Sequence, residues 1–176
     1  LIDLEPAALE GLSIFTEQNQ PIIFLNKRLP GDRQRLTLAH ELGHLGMHFA
    51  QVVDISTRDV EKEAFEFGAE LLVPANEIKQ HLNKLTLEKL ADLKRYWKVS
   101  MASLIYRAKE LKTITDNQSR YLWTQLRALN YHIQEPLELA VSVEKPTLIN
   151  EITDLYLTKL NYSIKELADL LSLNKE

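Results

Sequence analysis

Residues 12-LSIFTEQNQPIIFLNK-27 hold two apolar runs on either side of a polar turn that contains a proline. Such a pair of runs predicts a β-hairpin. Gly31-Asp32 then breaks the pattern, and Asp32 stands where it can cap the helix that follows. That helix is expected to run roughly to Phe49. Its apolar stripe is Leu38, Leu42, Leu45 and Phe49, which share one face at about 100° per residue. A second helix is expected to begin after Ser56-Thr57 and to end near Pro74, with Val60, Ala64, Phe67 and Leu71 as its stripe. Shorter helical patterns follow at about 75–83, 87–97 and 101–112, with Thr86 and Ser100 where N-caps belong. The polar stretch 113-TITDNQS-119 reads as a boundary. Beyond it come a helix near 119–131, an irregular stretch over 133–146, and helices at about 147–160 and 163–172. There is no internal repeat or low-complexity segment. The fold class expected is α+β and predominantly helical, with a small antiparallel sheet near the start. Residues 1–112 form the expected main domain and 113–176 a mainly helical C-terminal extension.

Composition narrows the chemistry. The 176 residues include no cysteine, so any metal must be held by His, Asp or Glu. The absence of cysteine fits a reducing cytoplasm, which is the location expected. No apolar run is long enough to span a bilayer, so no membrane partner is expected. The chain opens at Leu1 rather than Met and carries no signal-peptide pattern, which reads as a fragment missing an N-terminal part. The net charge of −4 argues against direct nucleic-acid binding. One stretch, Lys79 to Lys112, runs the other way, with nine basic and three acidic residues. It reads as a solvated helix face, with an acidic partner as the alternative. Oligomeric state is not legible.

Three of the five histidines fall in 37-TLAHELGHLGMH-48. His40, His44 and His48 lie on the side of the helix opposite the leucine stripe, so they are not ordinary core histidines. Imidazoles four residues apart are neighbours on a helix and can reach one zinc ion. Glu41 beside the first of them completes H-E-x-x-H, in which the carboxylate acts as general base in peptide hydrolysis. The metzincin pattern would put a third histidine ten positions after His40, but Ala50 is there. His48 therefore reads as a structural or supporting residue rather than a ligand.

A catalytic zinc takes three protein ligands and keeps an open position for water. The next helix, 58-RDVEKEAFEFGAELLVP-74, is rich in glutamate. Glu63 flanks its stripe most closely, and Glu70 lies two turns on along the same flank. Glu61 and Glu66 point further out. A carboxylate at the margin of an apolar stripe needs a partner, and a metal is one. Glu63 is accordingly expected as the third ligand, with Glu70 orienting a histidine and Glu61 and Glu66 solvated or paired with lysines. Solvated or lysine-paired roles for all four remain the alternative from the residues alone.

The segments 33-RQRLTLAHELGHLGMH-48, 61-EKEAFEFGAELLVP-74 and 96-YWKVSMASLIYRAKEL-111 together resemble the ImmA/IrrE family of metallopeptidases, over roughly residues 12–112. The resemblance implies one zinc ion on His40, His44 and Glu63, with Glu41 catalytic, in a gluzincin-like core. It implies cytoplasmic endopeptidases that cleave or inactivate helix-turn-helix transcriptional repressors, so a protein substrate of that kind is expected. It also implies that an N-terminal helix-turn-helix domain precedes the fragment. Two positions depart from the family pattern: its Asn after E-A is Phe65 here, and the first Ala of F-A-A is Gly68. Two other readings stay open. One is a non-catalytic DNA-binding or regulatory module, suggested by the helix-turn-helix-like shape of 87–109 and of 163–174. The other is a metal-binding pseudo-enzyme. Tyr106 and Arg107 are donors in the third segment, with transition-state, core or surface roles equally open.

Overall fold

The computed structural model describes residues 9–49 and 58–171. The expected helix start at Ser56-Thr57, the Leu1 terminus and the end of the last helix lie outside the described residues. Strands β1 (Gly11–Phe15) and β2 (Pro21–Leu25) pair antiparallel, Gly11 opposite Leu25 and Phe15 opposite Pro21. Pro21 stands at the first position of its strand, where a missing N–H costs least. The turn between them closes through Thr16, whose amide donates to the Gln20 carbonyl at 2.9 Å, with Asn19 in the left-handed conformation that asparagine tolerates.

Helix α1 (Gly31–His44) continues into a π-helical turn over Leu45–Phe49. Its N-cap is Pro30, which supplies no side-chain cap. Asp32, expected as the cap, is instead the second residue of the helix, within its first turn, and is buried. Its Oδ1 accepts from the Arg33 amide at 2.9 Å and its Oδ2 pairs with Lys94. The carboxylate thus joins a first-turn amide of α1 to a buried cation.

Helix α2 (Val60–Leu72) is capped by Asp59, whose carboxylate accepts from the Lys62 amide at 3.1 Å. It packs along α1 through small residues. A Cβ on Gly43 would lie 3.2 Å from the Ala64 Cα, and one on Gly68 would lie 3.3 Å from the His40 amide nitrogen. Both apolar stripes need correction here. On α1, Leu38 and Leu42 are 45% and 43% exposed, while Thr37, Ala39, His40, Glu41 and Gly43 are buried. On α2, Ala64 and Gly68 are buried and Leu71 is 52% exposed. Small residues let the helix axes approach, so they define the seam, and the bulkier leucines turn away from it. The polar face of α1 is consequently the interior one.

A second core follows α2. Helices α3 (Ala75–Ile78), α4 (Leu87–Trp97), α5 (Met101–Glu110) and α6 (Asp116–Ala128) bury Ile78, Leu82, Leu90, Leu104, Ile105 and Leu126 completely. Thr86 and Ser100 do cap α4 and α5, accepting from the Lys89 and Ser103 amides at 3.2 and 3.0 Å. Helix α6 starts three residues earlier than the pattern suggested, because Thr115 and Gln118 form a reciprocal capping box. Leu122 and Leu126 of α6 belong to the same core as α4 and α5. Residues up to Val143 thus form one compact unit, and Glu144–Glu176 form a second. The second unit contains α7 (Leu148–Asp154), a π-helical turn and α8 (Ile164–Leu170), the last begun by a Ser163/Glu166 capping box.

The start of α1 is held from the other side by residues 141–142. A Cβ on Gly31 would lie 2.4 Å from the Val141 carbonyl oxygen and 2.5 Å from that of Ser142. Backbone atoms cannot rotate away as a side chain can. Gly31→Ala should therefore cost about 1–3 kcal/mol, the usual range for overpacking. A urea denaturation curve with an unchanged slope and a lower midpoint would show it.

Candidate active site

Helical spacing brings His40 and His44 together on the buried face of α1. Their Nε2 atoms lie 3.0 Å apart and their rings meet edge to face. Burial, helped by the neighbouring His44, holds the His40 pKa below its ordinary value. The neutral imidazole so favoured is the form that binds metals. Glu61 reaches both rings, with Oε2 3.3 Å from His40 Nε2 and Oε1 3.4 Å from His44 Nε2. One ligand atom from each of the three lies within 4.8 Å of the others. Two imidazole nitrogens and a carboxylate converging on one point fit a divalent transition metal, zinc included.

Glu41 is buried on the same face and turns toward the hairpin. Its Oε2 accepts a hydrogen bond from Ser13 Oγ at 2.6 Å. A cleft of about 500 Å³ opens over this group, bounded by β1 from Gly11 to Ser13, by α1, and by Glu61 and Phe65 of α2. Phe65 lies across His40, ring centroids 4.2 Å apart, so it forms a wall of the cleft.

Glu63, the sequence-based choice for third ligand, stands elsewhere. Its Oε1 accepts from Arg58 Nε at 2.9 Å, its Oε2 pairs with Arg58 Nη2, and His48 Nε2 lies 3.2 Å from Oε2. The Arg58 guanidinium first, and His48 after it, hold the carboxyl below the usual range. Helix geometry explains the exchange. Glu61 precedes Ala64 by one turn and shares the face that packs on α1, whereas Glu63 is rotated by about 100° from that face. Glu70 does not reach a histidine either. It pairs with Arg107 and accepts from the Ala75 amide at 3.1 Å. Arg107 is buried, bonded also to the Val73 carbonyl at 3.1 Å and to Glu110 at 2.7 Å, so it ties the end of α2 to α5. Tyr106 is exposed and packs edge-on against Trp123.

A model of the IrrE N-terminal-like domain, peptidase group M78, matches residues 2–109. The chain belongs to this family of metallopeptidases. The IrrE-like region takes in the hairpin, α1 and α2, and therefore every residue of the histidine cluster. It stops near the end of α5, while the compact unit continues to Val143. No curated protein and no solved structure matches the chain. Among the described residues, no helix is long and apolar enough to cross a membrane.

Sequence reasoning missed three contributors. Ser13 depends on how the hairpin docks on α1, a contact 28 residues apart in the chain. Nothing in the glutamate-rich pattern of 58–74 marks Arg58 as the partner of Glu63. Glu61 reads as solvated or lysine-paired when the seam is drawn through bulky residues. The Ala64/Gly68 pair, four apart, was the signal that could have placed it.

Proposed function

We propose that the chain is a zinc-dependent endopeptidase with a gluzincin-like site, in which His40, His44 and Glu61 hold one ion and Glu41 is the general base. The observation that carries this reading is the convergence of both Nε2 atoms and the Glu61 carboxylate in a cleft that Glu41 also lines. A bound zinc would supply Lewis acidity and bring the pKa of water toward neutrality. Glu41 takes a proton from the attacking water and returns it to the leaving amine. Ser13 keeps the Glu41 carboxylate pointed into the cleft. Strand β1 lines the cleft and, among the described residues, pairs with β2 alone, which leaves an edge that an extended peptide can join by main-chain hydrogen bonds. A larger groove of about 830 Å³, lined by apolar and charged side chains, shares Leu36 and Phe65 with the cleft and offers room for residues on one flank of the scissile bond.

The substrate class follows from the family resemblance: a helix-turn-helix repressor in the cytoplasm. Residues 1–112 would carry catalysis and residues 113–176 an appended function. The 176-residue chain purified without chelators or a histidine tag should contain about one zinc per molecule by elemental mass spectrometry. His44→Ala and Glu61→Ala should both lose it. Absence of metal after zinc is offered at neutral pH would overturn the reading.

A further inference from the structure

A chain of hydrogen bonds leads from His44 away from the cleft. His44 Nδ1 lies 2.9 Å from His48 Nδ1, His48 Nε2 lies 3.2 Å from Glu63 Oε2, and Arg58 grips the same carboxylate through both nitrogen positions. The direction of every proton in this chain can be worked out from its outer end. Arg58 only donates, and the ionised Glu63 carboxylate only accepts. His48 must therefore donate from Nε2, and in its neutral form Nδ1 is then an acceptor. His44 must in turn donate from Nδ1. A neutral His44 with its proton on Nδ1 carries its lone pair on Nε2, the atom that faces His40 and Glu61. His40 has no such support: its Nδ1 is buried without a hydrogen-bond partner among the described residues.

We infer that His48, Glu63 and Arg58 are positioning residues that fix the His44 tautomer and aim its Nε2 lone pair into the metal site. The inference rests on the metal reading given above. It assigns Glu63 a role that differs from coordination. His48 lies in the π-helical turn over Leu45–Phe49, four residues after His44. Support of this kind from beyond the ligands is worth about 10–100-fold in metal affinity.

The test is zinc affinity of the full chain, measured by competition with a chromophoric chelator, together with the visible spectrum of the cobalt-substituted protein. His48→Ala should bind one zinc about 10–100-fold more weakly and shift the cobalt bands. His48→Gln, whose amide offers both an acceptor and a donor, should recover most of the affinity. Glu63→Ala should weaken binding like His48→Ala, and the double variant should be little worse than either single one, because both cut the same chain. A purely structural clamp would lower stability in urea and leave zinc affinity and the cobalt spectrum unchanged. That result, or loss of all metal in Glu63→Ala as in Glu61→Ala, would overturn the inference while leaving the metal reading standing. A wild-type chain that binds no metal would overturn both.

Discussion

Glu41→Gln should slow peptide hydrolysis by about 10²–10⁴-fold while leaving the metal site filled. Glutamine has the shape of glutamate, and its Oε1 can still accept the hydrogen bond from Ser13. What it cannot do is take a proton. General-base catalysis by a positioned side chain contributes about 10²–10⁴-fold, and the variant should lose that much of kcat. Glu41 is not one of the three groups that converge on the metal position. Zinc content should therefore stay at the wild-type level. Both readouts are needed, because loss of activity alone would also follow from loss of metal. The activity arm uses a proteome-derived peptide library digested with the zinc-loaded chain, with new termini counted by mass spectrometry. Cleavage by Glu41→Gln at the wild-type rate would remove Glu41 from the base role.

The parts of this molecule legible in the sequence are those set by local rules. The hairpin shows through its turn, α4 and α5 through Thr86 and Ser100, and the histidine pair through a four-residue spacing that a helix converts directly into proximity. The parts that were not legible depend on which face of a helix meets which neighbour. Stripes of large apolar residues are the usual guide to a buried face. On α1 and α2 the helices instead meet through Ala39, Gly43, Ala64 and Gly68, which contribute little to hydrophobicity and a great deal to close approach. Rotating α2 onto that seam exchanges Glu61 for Glu63 at the histidines. The basic stretch of residues 79–112 misled for a related reason. Two of its cations are not on a surface face at all: Lys94 and Arg107 are buried in ion pairs, and Arg95 and Lys109 are paired with Asp92 and Asp116. A charge run in the sequence carries no mark of which charges point inward, so the helix-turn-helix-like shape of 87–109 gains nothing from it.

Lys94 carries the second large expectation. It is 2% exposed and stands between two carboxylates, Asp32 at the start of α1 and Glu135 at 2.8 Å in the segment after α6. Glu135 also accepts from the Met101 amide at 2.8 Å, at the first turn of α5. One ammonium group thus joins α4, the active-site helix and the segment that leads into residues 137–140. Lys94→Met keeps most of the unbranched stem and removes the ammonium group with its charge. Asp32 and Glu135 are then left facing each other in a buried site with no cation between them. Breaking a buried pair from one side costs about 3–5 kcal/mol, a large share of the 5–15 kcal/mol that holds a typical domain together. The midpoint of urea denaturation should fall accordingly. Charge, rather than the shape of lysine, is the cause assigned, and a triple variant separates the two. Lys94→Met combined with Asp32→Asn and Glu135→Gln leaves no uncompensated charge and should regain most of the loss, since a buried ion pair replaced as a whole is often close to neutral in stability. A triple variant as unstable as Lys94→Met would show that the uncompensated charge of Asp32 and Glu135 is not the cause of the loss.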